Sequence, residues 1–237
     1  MALVRNILLQ STVDGPGNRT AVFLQGCNIR CAYCHNPETQ SLHDPEAREM
    51  SVEEVVAEIQ RAIPFIRGVT VSGGECMLQA EWLEQLTDAL QPLGLRLLID
   101  SNGAIPFSRY PRLLEQCEGV MLDVKAWDKS VYHALTGAMD NSVVKDNIQT
   151  LLQARKLTEI RIVCLPEKQA ISTDVETIIR HLAAIRELVQ QAVPIRLLQF
   201  RPHGVIGTMA NYPVPTPETM TRYQQLALSL GLQATIR

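Results

Sequence analysis

The chain lacks the features that would direct it to a membrane or to nucleic acid. No apolar stretch among its 237 residues approaches the length that spans a bilayer. The first nine residues are too short for a signal peptide and carry no small-residue cleavage site. The formal net charge is only −3, and no run of like charges occurs. These absences predict a cytoplasmic protein that binds neither nucleic acid nor a membrane.

The sequence also lacks a low-complexity segment and a linker that would separate two domains. Hydrophobic residues make up 46% of the chain and charged residues 20%, which is the usual balance of a globular protein. A length of 237 residues fits one large α/β domain. We therefore predict a single domain over residues 1–237.

Short apolar runs alternate with amphipathic segments along the chain. The predicted strands are Thr20–Leu24, Val69–Ser72, Arg96–Asp100, Val120–Val124, Ile160–Leu165 and Ile195–Phe200. The predicted helices are Val52–Phe65, Ala80–Gln91, Tyr110–Gln116, Val143–Ala154, Val175–Gln190 and Pro217–Leu230. Repeated β–α units indicate a parallel sheet covered by helices. About six units are too few for a closed eight-stranded barrel, so we predict a partial (β/α)6 barrel of the α/β class.

Polar residues cluster directly after five of the predicted strands. Ligands of parallel α/β folds bind at the carboxyl ends of the strands, so these loops predict one shared site. The loops begin at Cys27, Ser72, Asp100, Asp123 and Arg201.

Cys27, Cys31 and Cys34 have the spacing C-x3-C-x2-C, and no fourth cysteine follows nearby. Thiols of a cytoplasmic protein stay reduced, so the cluster indicates a metal site rather than disulfides. A four-iron cluster held by three thiolates keeps one iron open for a small molecule. A zinc site is the alternative, although structural zinc usually takes four ligands.

Several other motifs allow two interpretations each. Gly73-Gly74-Glu75 permits close approach of a ligand to the backbone, or forms a tight turn with a capping carboxylate. Asp100 and Asp123 would repel each other at neighbouring strand ends unless a cation, or Lys125, lies close to them. The alternative is helix capping combined with a buried ion pair.

Arg161 and Asp14 are candidate substrate contacts. Arg161 alternates with β-branched residues and so points away from them, into the barrel lumen or into a salt bridge with a helix. Asp14 lies in Asp14–Gly17, whose composition is typical of a turn. Because this segment leads into the cysteine loop, Asp14 could instead contact a substrate.

Taken together, the motifs resemble those of the radical S-adenosylmethionine (SAM) enzymes. Further motifs are similar to the activating enzymes of glycyl radical enzymes, such as the pyruvate formate-lyase activases. Within that group the chain looks most like the YjjW-type activases. The motifs that carry the narrower resemblance are Val13–Arg19, Gln25–Cys27, Cys34–Asn36, Asp100–Gly103, Met121–Trp127, Leu135–Gly137 and His203–Val205.

The resemblance implies a partial (β/α)6 barrel and a role for each candidate residue. Cys27, Cys31 and Cys34 would ligate one [4Fe-4S] cluster, and Asp14 and Arg161 would hold a peptide of the target protein. The residues implied to bind SAM are Tyr33, His35, Gly73, Gly74, Glu75, Asp100, Ser101, Asn102, Asp123, Lys125, Arg201 and His203. A monovalent cation, Na⁺ or K⁺, would lie beside Asp100, Ser101, Met121 and Asp123.

The implied activity is reductive cleavage of SAM, followed by abstraction of a hydrogen atom from a glycine of a partner glycyl radical enzyme. Such an enzyme would work anaerobically, as a monomer, with an external electron donor such as flavodoxin or ferredoxin. Two other functions are weighed beside it. One is a radical SAM enzyme acting on a small molecule or peptide, such as a maturase. The other is a zinc-binding interaction module.

Two departures from the family pattern bear on these expectations. Many YjjW-type activases carry a ferredoxin-like insert with two further clusters, but only Pro37–Met50 fill that interval here, without a cysteine. One cluster is therefore expected. The pyruvate formate-lyase activases have Pro-Tyr-His after the last strand, where this chain places Arg201 in the position of that histidine. The ribose contact of SAM is thus left open between Arg201 and His203.

Overall fold

The computed structural model describes residues 1–167 and 169–237. Over those residues the strands form one sheet of nine, in the order β3-β1-β2-β4-β5-β6-β7-β8-β9. Neighbours from β2 to β9 run parallel, whereas β1 is antiparallel to both β2 and β3. The strands are β1 Ala2–Ser11, β2 Arg19–Leu24, β3 Arg48–Met50, β4 Gly68–Gly73, β5 Leu97–Ser101, β6 Gly119–Asp123, β7 Leu157–Cys164, β8 Pro194–Gln199 and β9 Gln233–Ile236.

Helices connect the parallel strands and cover one face of the sheet. The α-helices are α1 Val52–Gln60, α2 Ala80–Leu90, α3 Pro111–Gln116, α4 Lys129–Thr136, α5 Ser142–Gln153, α6 Val175–Val189 and α7 Pro217–Ser229. Short 3-10 turns span Pro37–Gln40, Cys76–Gln79, Gln91–Leu93, Phe107–Arg109 and Thr208–Asn211. None of the helices in the described ranges combines the length and apolarity that a bilayer span requires.

The predicted α/β class is confirmed, and each predicted strand and helix is present within a few residues of its expected bounds. Helix α1 ends at Gln60 rather than Phe65, because Pro64 lacks a backbone N–H and disfavours helical geometry in the residue before it. The predicted cap at Ser51 is a capping box with Glu54.

The sequence interpretation missed four elements, namely β1, β3, β9 and α4. The side chains of β1 alternate between buried and partly exposed over residues 2–5 and between exposed and partly exposed over residues 6–10. The strand adds antiparallel pairing to a sheet that was expected to be wholly parallel. Helix α4 is only eight residues long. It begins where the Asp128 carboxylate accepts hydrogen bonds from the backbone N–H groups of Ser130 and Val131.

The two faces of the sheet have opposite character because side chains alternate along each strand. The apolar side chains of one face, including Val71, Ile99 and Leu122, belong to the large core beneath the helices. The intervening positions on the other face carry Ser72, Asp100 and Asp123, which line a cavity. The fold therefore has an apolar core between the sheet and the helices, and polar side chains on the lumen face of the sheet.

Arg19 closes the lumen at the amino ends of the strands. Its guanidinium is fully buried and donates to the Thr70 hydroxyl at 2.9 Å, the Val69 carbonyl at 3.0 Å and the Glu118 carboxylate at 2.8 Å. Gly15 lies against the same layer with φ of +127°, where an added Cβ would approach Leu98 to 2.7 Å. The segment Asp14–Gly17 is thereby held under the cavity.

Replacing Arg19 tests this closure. We expect Arg19→Met to lower the free energy of unfolding by about 3–5 kcal/mol, because it leaves buried acceptors without their charged partner. Arg67→Met is the matched control, since Arg67 also pairs with Glu118 but its side chain is 57% exposed. That substitution should cost no more than about 1 kcal/mol. Equal effects of the two substitutions in urea denaturation would contradict the buried role of Arg19.

Candidate functional site

A cavity of about 290 Å³ lies at the carboxyl ends of the parallel strands. The structure brings most of the predicted site residues together around it. These are Asp14, Cys27, Cys31, Tyr33, Cys34, His35, Gly73, Gly74, Asp100, Ser101, Asn102, Asp123, Lys125 and Arg161. Four other candidates are outside the lining: Glu75, Met121, Arg201 and His203.

Sequence reasoning missed several residues of the cavity wall. Val163 and Leu198 are on the lumen face by simple alternation, so strand register alone could have identified them. Asn36, Thr39 and Gln40 come from the turn that follows the cysteines, whose path no sequence signal indicated.

The cysteine loop is attached to α4, the helix that the sequence interpretation missed. The backbone N–H groups of Arg30 and Ala32 donate to the carbonyls of Thr136 and Leu135, at 2.8 and 2.9 Å. The Arg30 side chain turns back and donates to the Cys27 carbonyl at 2.6 Å. The end of α4 therefore fixes the segment between the first two cysteines.

The thiols of Cys27 and Cys31 lie in an environment that disfavours the negatively charged form. Burial is the main cause that raises the pKa of Cys31 to about 12, with further contributions from Cys27 and Cys34, against a lowering influence of Lys125. Burial also raises the pKa of Cys27. A cationic metal centre reverses this balance, since thiolates are the form that binds metals.

Within the described ranges, no three His, Cys, Asp or Glu side chains converge on one point as a single metal ion would require. The cysteines are instead distributed along the wall of the cavity. Their sulfur donors suit an iron–sulfur cluster, which spans a larger volume than one ion.

Gly73 and Gly74 bring the end of β4 against the start of the cysteine loop. A Cβ on Gly74 would lie 2.1 Å from the Gly26 carbonyl oxygen, and one on Gly73 would lie 2.1 Å from the Leu24 carbonyl oxygen. The N–H of Gly74 donates to Leu24 at 2.9 Å. Only residues without a side chain permit this approach, so the glycine pair is required before any ligand is considered.

Glu75 directs its carboxylate into the protein. The carboxylate accepts hydrogen bonds from the Met77 N–H at 2.9 Å, the Asn102 N–H at 2.7 Å and the Ser101 hydroxyl at 2.8 Å. Burial raises the pKa of Glu75 to about 7, against the lowering effect of these donors. Glu75 therefore joins the loop after β4 to the loop after β5.

The two aspartates at the strand ends are each paired with a cation of the protein. Asp100 accepts from Arg161 at 2.8 Å and from the Ser72 hydroxyl at 3.0 Å, while Asp123 accepts from Lys125 at 2.6 Å. Burial raises the pKa of Asp100, Arg161 lowers it, and Asp123 raises it again. Ion pairs with Arg161 and Lys125 are thus present at both carboxylates, and the cation expected beside them stays a prediction.

Arg161 points into the lumen, as its alternation on β7 predicts. Its Nε also donates to Glu159 at 2.8 Å, and Arg196 donates to the other oxygen of that carboxylate at 2.8 Å. Its third contact is the Met121 sulfur at 2.8 Å. The guanidinium is thus held by two carboxylates at the edge of the cavity.

Tyr33 and His35 flank the last cysteine. Tyr33 is buried, its ring centroid lies 5.8 Å from the Lys125 Nζ, and no residue of the described ranges is hydrogen-bonded to its hydroxyl. The Nε2 of His35 lies 2.7 Å from the Arg201 carbonyl oxygen, and its ring stacks on Phe200 at 6.1 Å. Arg201 and His203 are exposed, so the structure does not choose between them as a ribose contact.

Comparison with known proteins agrees with the family resemblance of the sequence motifs. The model of the Radical SAM superfamily matches residues 21–182. The pyruvate formate-lyase-activating enzyme of Staphylococcus epidermidis is 36% identical over 212 residues, covering 83% of this chain and 78% of that protein. The enzyme of the same name from Clostridium pasteurianum is 32% identical over 209 residues, covering 86% and 84%.

A solved structure has a similar fold. It is a domain of a pyruvate-formate lyase-activating enzyme from Bacteroides vulgatus, with a TM-score of 0.57 and 22% identity. The match covers 72% of this chain and 98% of that one.

Glu75→Gln tests the connection between the two loops. At pH 8, above the pKa of about 7, each carboxylate oxygen accepts at least one N–H or O–H. A glutamine replaces one oxygen with an N–H2 group that faces a backbone donor. We expect the free energy of unfolding to fall by about 1–3 kcal/mol.

Glu115→Gln, on the exposed face of α3, is the control for that substitution. It should stay within about 0.5 kcal/mol of the wild type. Equal stability of the wild type and Glu75→Gln in chemical denaturation would show that the Glu75 carboxylate does not hold these loops together.

Proposed function

Because the chain belongs to the radical SAM superfamily and, within it, to the activating enzymes of glycyl radical enzymes, we propose that Cys27, Cys31 and Cys34 hold its [4Fe-4S] cluster and that the adjoining cavity binds SAM. The observation that carries this proposal is the cavity itself. Three thiols form one part of its wall, and the remaining wall combines polar side chains and two glycines with a few apolar side chains.

The residues present fit both groups. Three sulfur donors leave one iron without a protein ligand, and Gly73 and Gly74 keep the neighbouring wall free of side chains. Tyr33 also lines this cavity, and no residue within 1–167 and 169–237 is hydrogen-bonded to its buried hydroxyl. When bound, the cluster and SAM supply a carbon-centred radical that abstracts a hydrogen atom.

The chain's own residues orient the cofactor and exclude water in this proposal. Tyr33 and His35 bound it on the side of the cysteine loop, and Gly73 and Gly74 let it approach the backbone. The polar contacts come from the loops after β5 and β6, through Asp100, Ser101, Asn102, Asp123 and Lys125. Glu75 contributes indirectly by positioning Ser101 and Asn102, because its carboxylate already accepts hydrogen bonds from both residues.

The proposal includes a Na⁺ or K⁺ ion beside Asp100, Ser101, Met121 and Asp123. Two carboxylates at adjacent strand ends support it. Arg161 and Lys125 already neutralise these carboxylates. In this proposal the cation therefore helps to bind the cofactor and is not needed to compensate the carboxylates.

The proposed substrate is a glycine-containing loop of a partner glycyl radical enzyme. Asp14 and Arg161 line the same cavity as the cysteines, where they can contact the backbone of such a loop. Cys76, Cys117 and Cys164 do not line the cavity, which supports a single cluster that receives its electron from an external donor such as flavodoxin or ferredoxin. The enzyme acts as a monomer in the cytoplasm in this proposal.

Cys31→Ala tests the cluster assignment. After anaerobic reconstitution with iron and sulfide, reduction with dithionite and addition of SAM, we expect the wild type to form methionine and 5′-deoxyadenosine. Cys31→Ala should lose both the electron paramagnetic resonance (EPR) signal of the cluster and SAM cleavage. Cys117→Ala, which changes a buried thiol outside the cavity, should retain both. Full SAM cleavage by Cys31→Ala would refute the assignment.

Asp14→Ala separates cofactor chemistry from recognition of the partner. The Asp14 carboxylate contacts the Ser11 hydroxyl and none of the residues proposed to hold SAM. We expect SAM cleavage without partner to persist, and the glycyl radical doublet on the partner enzyme to fall at least tenfold in EPR. Ser11→Ala keeps the carboxylate and should activate the partner normally. If Asp14→Ala activated the partner as well as the wild type does, Asp14 would not be a substrate contact.

A further inference from the structure

The geometry points to a specific role for Asn102: its side-chain amide donates a hydrogen bond to the sulfur of Cys27 and thereby raises the reduction potential of the cluster. Asn102 is a positioning and tuning residue in this sense, since it acts on the iron through a ligand. The inference rests on the proposed function, because it requires Cys27 to ligate the cluster.

Asn102 is buried beside the first cysteine of the loop. Its side chain is 6% exposed, and its Nδ2 lies 3.7 Å from the Cys27 sulfur and 2.9 Å from the Asn28 Oδ1. Hydrogen bonds to sulfur are longer than those to oxygen, so 3.7 Å is within reach of donation. In the described part of the chain, no other side-chain N–H donates to the sulfur of Cys27, Cys31 or Cys34.

The hydrogen-bond network fixes which end of the amide faces the sulfur. The Asn102 Oδ1 accepts the backbone N–H of Ala104 at 2.9 Å. A backbone N–H can only donate, so the oxygen must be on that side. The two N–H groups of the amide therefore face Cys27 and Asn28, and a flipped amide would lose its contact with Ala104.

The backbone of Asn102 is held as firmly as its side chain. Its N–H donates to the Glu75 carboxylate at 2.7 Å. Ser101 donates to the same carboxylate and accepts the Gly103 N–H at 3.0 Å. A donor anchored in this way keeps its direction toward the sulfur when the charge of the cluster changes.

The electrostatic consequence has a definite sign. One-electron reduction adds negative charge to the cluster and its thiolates, and an N–H donor stabilises the more negative state more strongly. The electron comes from the external one-electron donor. Removing the donor should therefore lower the reduction potential, so a weaker external reductant would no longer reduce the cluster.

Asn102→Ser tests this inference with little disturbance of the turn. A serine hydroxyl can still accept from the N–H two residues ahead, as Asn102 does from Ala104, but it is too short to reach Cys27. We expect the reconstituted variant to have a lower midpoint potential than the wild type, measured by redox titration of the reduced-cluster EPR signal without SAM. Asn102→Leu, a neutral residue of similar size, should shift the potential in the same direction.

Asn147→Leu is the matched control. Asn147 is equally buried and holds the same loop, since its Nδ2 donates to the carbonyls of Gly103 and Ile105 and its Oδ1 accepts the Phe107 N–H. It contacts no cysteine. This variant should lose stability but keep the wild-type reduction potential, because it retains the Asn102 donor that stabilises the reduced cluster.

Two results would overturn the inference. One is a wild-type midpoint potential in both Asn102 variants. The other is an equal shift in Asn147→Leu, which would attribute the effect to movement of the loop. Either result leaves the proposed function intact, whereas a wild-type protein that assembles no cluster would remove the proposed function itself.

Discussion

The candidate site depends on one backbone contact, between Gly74 at the end of β4 and Gly26 at the start of the cysteine loop. The Gly26 carbonyl accepts the Glu75 N–H at 2.8 Å, and there is no room for a side chain at Gly74. This contact fixes Cys27 relative to the sheet. It also orients Glu75 so that its carboxylate reaches the loop after β5. A substitution at Gly74 would therefore displace the cysteines and the polar wall together.

Charge in the lumen is balanced by protein groups alone. Arg161 lies between Asp100 and Glu159, and Lys125 is paired with Asp123. The cavity is thus polar without a large excess of either sign, which suits a cofactor that carries both an ammonium and a carboxylate. Removing one member of these largely buried pairs would leave its partner uncompensated, which is costly in the interior.

The sequence predicted the strands that carry the site because apolar runs followed by glycine, cysteine or aspartate give strong local signals. It missed β1 and α4, since only the first part of β1 alternates with buried side chains and α4 has only eight residues. Alternation left Arg161 either in the lumen or in a salt bridge with a helix, and the structure shows it lining the cavity. The long-range partners of Glu75, Asn102 and Arg161 could not be predicted, because they lie 26 or more positions away in the chain.

The central claim is that the cluster held by Cys27, Cys31 and Cys34 has an open iron facing the cavity, and that SAM binds this iron. Electron–nuclear double resonance of the reduced protein, with SAM labelled with ¹⁵N in its amino group, tests the claim most directly. The account predicts a hyperfine coupling between the label and the cluster. A fully loaded, reduced cluster that shows no coupling with saturating labelled SAM would contradict it.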